Sequence, residues 1–338
     1  MEGRKLQLAG GSTYLVSLPK RWVQTAGLKA GDTVFLDTAS DGSVSIRPHS
    51  GERADTRRKI FQERDDESRD HLLRKLIGAY VSGFGLIEIR FPPDRGPFVR
   101  RVARDFCRLV IGPEVIEENR NALVIQDLSD ASDLSSEKCL RRMHLTVRAM
   151  LEDAMTALRT SDEALARDVH VRGQDVNRLY WMVAKQFHLL QTRPFDSSAN
   201  GAANLVHGHR LIAKMLERIG NHAERIAGTF PTLAEERSLD PKLVKELDEA
   251  RASAVALLDK AFSALATRDI AAANETIDAR SEHQKLVDAL SHRVATKRGE
   301  ELLALATVVD SLGRTGGYAA EIAEQAIDLA ILTDNDKS

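Results

Sequence analysis

Aromatic residues are scarce in this chain, at 5% of its 338 positions, and cysteine occurs twice. Cys107 and Cys139 stand in helical patterns without metal-ligand spacing, which excludes a disulfide scaffold and fits a reducing cytoplasm. No apolar run approaches the roughly twenty residues a helix needs to cross a bilayer. The opening Met1-Glu-Gly-Arg-Lys lacks the hydrophobic stretch of a secretory signal. The expectation is a cytoplasmic protein without membrane insertion. A nucleophile–base–orienter set is also missing from the sequence, so the chain reads as a non-enzyme. What remains is an Ala/Leu-rich composition, 43% hydrophobic and 29% charged, which favours helix. The net charge of −2 hides an asymmetry. Residues 1–60 hold ten Lys/Arg against six Asp/Glu and so carry +4, leaving −6 on the remainder. A basic end on an acidic body is compatible with nucleic acid at that end.

The C-terminal half repeats itself, and a repeat is best settled before other assignments. An offset of 107 carries Leu151 onto Leu258, Ala154 onto Ala261, Leu158 onto Leu265, Asp162 onto Asp269 and Leu179 onto Leu286. Further on the offset is 96, and Arg218-Ile-Gly-Asn-His-Ala-Glu-Arg-Ile-Ala falls on Arg314-Thr-Gly-Gly-Tyr-Ala-Ala-Glu-Ile-Ala. The eleven-residue difference falls in the turn-forming stretch around Gln191 to Ala203. Each copy predicts three helices with narrow apolar stripes rich in Ala and Gly. Examples are Leu140, Met143, Val147, Met150 and Ala154 in the first copy and Leu243, Leu247, Ala250 and Ala254 in the second.

The four predicted domains are 1–50, 51–133, 134–232 and 233–338. The first reads as short strands around one brief helix: Arg4–Leu8, Thr13–Leu18, a helix Lys20–Ala26 opened by Pro19 and stopped by Gly27, then Thr33–Asp37 and Ser43–Arg47. A turn at Ser40-Asp41-Gly42 joins the last two. Forty-odd residues make a thin core, near the lower limit for folding alone. Gly10-Gly11-Ser12-Thr13 lacks the helix and lysine of a phosphate loop and reads as a hairpin turn. Between 51 and 133 the pattern predicts a small α+β unit: helix Asp65–Phe84, strand Leu86–Phe91, helix Pro97–Val110, and a hairpin of Glu114–Glu118 with Asn121–Asp127.

The stretch from Leu18-Pro19 through Gly27-Leu-Lys-Ala-Gly-Asp32 resembles the AbrB/SpoVT family of swapped-hairpin DNA-binding domains. The resemblance implies a homodimer whose basic residues grip DNA phosphates. That family's pattern has arginines near positions that here hold Leu15, Val23 and Gln24, so the cations available for DNA are Arg4, Lys5, Lys20 and Arg21. Leu216-Glu-Arg-Ile-Gly-Asn-His-Ala-Glu-Arg-Ile-Ala227 resembles the PhoU family of phosphate-uptake regulators, whose signature here is close to E-R-I-G-D-H-A-x-N-I-A-E. The combination is similar to archaeal phosphate-uptake regulators that join the two domains. It implies a mostly α fold: a swapped-hairpin β domain, an α+β connector and a pair of three-helix bundles. It also implies a phosphate transporter or a histidine kinase as partner.

PhoU-family members gather metal clusters with E/D-x-x-x-D motifs on adjacent helices, where i,i+4 carboxylates share a face. Here the motif is eroded. Glu217 is followed by Asn221, the second copy has Gly313 and Gly317, and Gly173 and Asn177 stand where acids are expected on the neighbouring helix. Asp175, Asp278 and Glu282 are the surviving carboxylates of the second helices. The expectation is at most one weakly held divalent metal ion, on Glu217, Asn221 and Asp175. His207, His209 and His222 read as surface or packing residues, as do Tyr180, Trp181 and Phe187. Two functions stay open: a DNA-binding regulator of phosphate homeostasis, or a DNA-independent adaptor that inhibits a phosphate transporter or its sensor kinase.

Overall fold

The computed structural model describes residues 3–38, 44–48, 57–64, 66–129, 134–191, 198–235 and 240–334. In the N-terminal unit, strand β1 (Gln7–Ala9) pairs antiparallel with β2 (Thr13–Leu15). The link between them uses Gly10 and Gly11 at φ +63° and +82°, a region closed to most side chains. Helix α1 (Lys20–Thr25) starts after Pro19 and ends where Gly27 takes φ +68°. There the Leu28 N–H donates to the Val23 carbonyl and the Gly27 N–H to that of Gln24, a Schellman stop that satisfies the last carbonyls. Strand β3 (Val34–Thr38) pairs antiparallel with β4 (Val44–Pro48). The predicted Ser40-Asp41-Gly42 turn lies outside the described residues. No described side chain of this unit is buried. Leu8 is 60% exposed, Tyr14 70% and Leu36 62%.

The second unit opens with a strand that the sequence reading did not contain, β5 (Arg58–Gln62). It lies at the sheet edge, largely exposed, and its Arg57-Arg58-Lys59 start masks any apolar alternation. Helix α2 (Arg69–Val81) follows, capped by the Ser68 hydroxyl, which accepts the His71 N–H; this cap displaces the predicted start at Asp65, a position outside the described residues. Next come β6 (Leu86–Arg90), α3 (Gly96–Leu109), β7 (Pro113–Glu118) and β8 (Ala122–Asp127). The sheet order is β5-β6-β8-β7, with β5 and β6 parallel and the other pairs antiparallel. Leu72, Leu76, Val99 and Phe106 from the helices close over Ile87, Ile89, Leu123 and Ile125 from the strands.

The rest is helical: α4 (Ser136–Thr160), α5 (Glu163–Gln191), α6 (Ser198–Gly228), a short α7 (Phe230–Glu235), α8 (Pro241–Thr267), α9 (Ile270–Val294) and α10 (Gly299–Asp334). One continuous core runs through both three-helix repeats. The α+β part is bolted to α5. Lys185 forms a buried ion pair with Asp127 and sits 4.9 Å over the Tyr80 ring, while Trp181 packs against both cores. Among the described residues no helix is long and apolar enough to cross a membrane.

The repeat is visible in backbone detail. Ser161 and Arg268, 107 apart, are the two non-glycine residues with positive φ among those described, at 55° and 57°. Asp162 and Asp269 then cap α5 and α9 through the N–H groups of Leu165 and Ala272, each at 3.0 Å. At the 96 offset, Gly220 lies under Val176 and Gly316 under His283, and those two upper residues are themselves 107 apart. The two glycines predict opposite mutational signs. A Cβ at Gly220 would meet Val147 and Val176 at 3.5 Å, an ordinary contact. Gly220→Ala is therefore expected to be neutral or to stabilise by up to about 1 kcal/mol, because Ala loses less backbone entropy in a helix. A Cβ at Gly316 would come within 2.2 Å of the buried His283 ring, which Ser253 and the Leu312 carbonyl hold at 3.1 Å each. Gly316→Ala is expected to cost about 2–4 kcal/mol by overpacking and by loosening those bonds. Urea midpoints of the two variants decide the matter; equal midpoints would contradict the packing described here.

Among the described residues, four histidines are buried between helices. His144 Nε2 lies 2.8 Å from the Asp259 carboxylate, which accepts its hydrogen bond, and the ring stacks on Phe262, joining α4 to α8. His209 meets the Ser136 hydroxyl at 2.8 Å, His222 meets Ser311 at 3.3 Å, and His283 joins α9 to α8 and α10. Burial pushes all four below the usual imidazole range, which for His144 outweighs the opposing pull of Asp259. An unfolded imidazole takes its proton near pH ~6.5, whereas these resist until lower pH. The unfolded state therefore binds more protons below ~6.5. Stability from these groups is full above that pH and is lost as pH falls through their depressed values. Urea midpoints should drop from pH 7.5 to pH 5.5, and His283→Gln should flatten part of that drop. A flat profile would refute the neutral-histidine packing.

Candidate functional site

In the N-terminal unit Lys5 is exposed just before β1, and Arg4 precedes it, also exposed. Lys20 and Arg21 are exposed on the first turn of α1. Pro19 fixes where that helix begins, at φ −60°, so the two cations come from a defined turn. The unit thus carries cations just before β1 and on the first turn of α1, together with exposed apolar side chains.

In the helical part the eroded carboxylate motif lies on α6 facing α5. The Asn221 amide donates to Glu217 Oε1 at 2.9 Å, one helical turn away. Lys214 Nζ stands 2.8 Å from Glu217 Oε2, and Arg218 stands 3.8 Å from it. Asp175 is half exposed and pairs with Arg178 on its own helix at 3.7 Å. Glu217 and Asn221 are brought together, then, while the ion pair recorded for Asp175 points along α5. In the second repeat Glu282 pairs with Lys285 in solvent, and Gly313 faces Val287.

One pair was not foreseen. Glu224, a further two turns along α6 from Glu217, meets His170 of α5 at 3.3 Å. Burial raises the Glu224 carboxyl above the usual range, against the pull of His170 and with help from the charge of Glu217. Its carboxylate occupies the space over Gly173, where a Cβ would stand only 1.8 Å from Oε1. Gly173 is small because Glu224 fills that space. A signal existed in the sequence, since an acid on α6 facing a glycine on α5 is a size exchange, but it spans two helices.

This arrangement does not suit a multinuclear metal cluster. Such a cluster needs several carboxylates converging to offset its charge. Here Glu217 is already paired with Lys214 and accepts from the Asn221 amide N–H, and Glu224 is hydrogen-bonded to His170. Among the described residues no group of three or more His, Cys, Asp or Glu is placed to hold a metal ion. Burial also pushes both thiols, Cys107 and Cys139, up to about 11, so they stay protonated and poor as ligands.

With this geometry in hand, comparison with known proteins gives two family matches. The PhoU domain family matches residues 140–229, within the first repeat. A second family, described as antidote-toxin recognition MazE, bacterial antitoxin, matches residues 7–54. Among solved structures, PhoU from Pseudomonas aeruginosa superposes with a TM-score of 0.53 at 22% identity, covering 57% of this chain and 94% of that one. The phosphate transport system regulatory protein PhoU from Streptococcus pneumoniae gives 0.50 at 18% identity, covering 57% and 92%. At these identities the likeness is one of fold. No curated protein matches the chain.

Proposed function

We infer that this chain, which carries a MazE/AbrB-like domain and a PhoU domain, is a dimeric, non-enzymatic regulator of phosphate uptake. Its N-terminal unit pairs with that of a second chain and holds DNA through Arg4, Lys5, Lys20 and Arg21. Its helical part acts by contact with a phosphate transporter or the histidine kinase that senses phosphate. The reading rests on one juxtaposition above all. An N-terminal unit in which no described side chain is buried is joined to a duplicated bundle of PhoU fold. Exposed apolar strands call for a partner surface, and a second copy of the same hairpins supplies one of matching shape. Phosphate contacts need positive charge on one face, without a fixed sequence pattern.

A second reading keeps the dimer and drops DNA. It is favoured by Leu15, Val23 and Gln24, which stand where the family pattern has arginines. One genetic experiment addresses both. Deleting the gene should make transporter transcripts and phosphate uptake insensitive to external phosphate. Rescue by wild type, but not by a chain with Lys20 and Arg21 replaced by Ala, favours the DNA reading; rescue by both favours the adaptor. Uptake and transcripts that respond normally without the gene would sink both.

A further inference from the structure

The two repeats do not fill the space between their second and third helices in the same way. In the first, Tyr180 and Phe187 of α5, seven residues apart, are buried toward α6. Lys214 Nζ lies 4.7 Å over the Tyr180 ring and the Arg210 guanidinium 5.2 Å over the Phe187 ring. The offsets that superpose Gly220 on Gly316 and Val176 on His283 carry these four residues onto Val287, Val294, Asp310 and Ala306. Glu217 and Asn221 become Gly313 and Gly317. All six replacements are smaller. A groove of about 510 Å³ is left between α9 and α10, running from Arg280 and Glu321 at one end to Ala295 and Leu302 at the other. At Gly317 a Cβ would meet nothing nearer than Arg280 at 3.9 Å, so the floor is open there.

The rim has changed sign as well. The first repeat's cations Arg210, Lys214 and Arg225 correspond to Ala306, Asp310 and Glu321, and Trp181 corresponds to Asp288. Arg280, in place of Gly173, is the one cation gained along these positions. Asp310 is shared by Arg225 and Arg314 at 3.3 and 3.8 Å, but neither Glu321 nor Asp288 has an ion-pair partner among the described residues. Against Arg280 and the retained Arg314, the lining's Asp288, Asp310 and Glu321 leave one net negative charge.

We propose that this groove is the docking site for a helix of a partner protein, one carrying two aromatic side chains seven residues apart and flanked by lysine or arginine. The partner supplies in trans what α5 and α6 supply in cis in the first repeat. The groove follows α9 for fifteen residues, about 22 Å, the length of roughly four helical turns. An amphipathic helix laid in such a groove buries its anchors on the apolar floor and leaves its charges at the rim. Asp288 and Glu321, outside any ion pair among the described residues, favour basic flanks on the visitor. A second copy of this chain is not the occupant: its exposed aromatics among the described residues are Tyr14 and Phe35, both on short strands. The proposal rests on the reading that the bundle works by protein contact and is independent of DNA binding.

The test uses the full chain and a labelled eighteen-residue alanine-based helical peptide. The peptide carries Tyr and Phe seven residues apart with lysines beside them, and binding is followed by fluorescence anisotropy. Saturable binding is expected. It should weaken at least tenfold in Val287→Tyr/Val294→Phe, which fills the groove with the first repeat's own residues, and in Gly317→Leu, which blocks the open floor. It should also weaken in Asp288→Lys/Glu321→Lys and with added salt. Circular dichroism of each variant checks folding, and Gly317→Leu serves if the double variant is unfolded. No saturable binding to wild type, equal binding to the folded groove-filled variants, or equal binding of a glutamate version of the peptide would each overturn the proposal. The proposed function fails by a different readout, namely phosphate-responsive uptake that ignores loss of the gene.

Discussion

A chain lacking residues 1–48 is expected to scatter light as a monomer, and the full 37.3 kDa chain is expected to scatter as a dimer. Apolar side chains of the N-terminal unit lack cover in the single chain. Leu6, Leu8, Tyr14, Leu15, Phe35, Leu36 and Val44 are all about half exposed or more in the single chain. Fully burying a side chain of this kind is worth about 1.5–3 kcal/mol. Forty-odd residues with an uncovered apolar surface are below the size at which a domain holds itself together. Pairing of hairpins between two chains would cover that surface, and the short β1–β2 and β3–β4 ladders have edges that could do it. Within the full chain, Tyr14→Lys combined with Leu36→Lys should also shift the mass toward monomer, because two charges would then lie in the apolar interface. A dimer that survives both changes would place the contact in the helical repeats instead.

Replacing Lys20 and Arg21 together by Ala is expected to weaken binding to every duplex alike. Both side chains project from the first turn of α1 and are exposed, so they are free to meet phosphates. Phosphate contacts carry no sequence information, so the loss should be uniform across sequences. The slope of log K against log salt should fall in magnitude by roughly 0.9 for each contact removed, and a dimer doubles the number. Unchanged affinity and slope would take these two residues off the DNA face. Because neither side chain is buried, the substitution leaves stability essentially alone, and an unchanged unfolding midpoint serves as the internal control.

Much of the architecture could be read from the chain because it is written locally. Pro19 and Gly27 bracket α1 through backbone geometry that involves few other residues. The two repeats declare themselves because matching caps, Asp162 and Asp269, recur at the same distance as matching apolar stripes. β5 escaped for the opposite reason. At the sheet edge its side chains are largely exposed, so selection for apolar alternation is weak, and its pairing partner β6 lies across an entire helix. The His170–Glu224 pair escaped because its members are 54 residues apart and are joined only by the antiparallel packing of α5 on α6. The eroded motif at Glu217 and Asn221 was legible as residues. That Lys214 and the Asn221 amide would occupy the carboxylate was not, since Lys214 reads from sequence as an ordinary solvated cation.

The N-terminal unit is proposed to tie a PhoU-fold bundle to DNA. The most direct measurement is fluorescence anisotropy of the full-length protein on duplexes taken from upstream of its own coding region and of a phosphate transporter operon, titrated across salt. Saturable binding whose log K falls linearly with log salt, and which disappears on removal of residues 1–48, is the predicted result. Failure to bind any duplex at the lowest salt would contradict the claim and leave the DNA-independent adaptor.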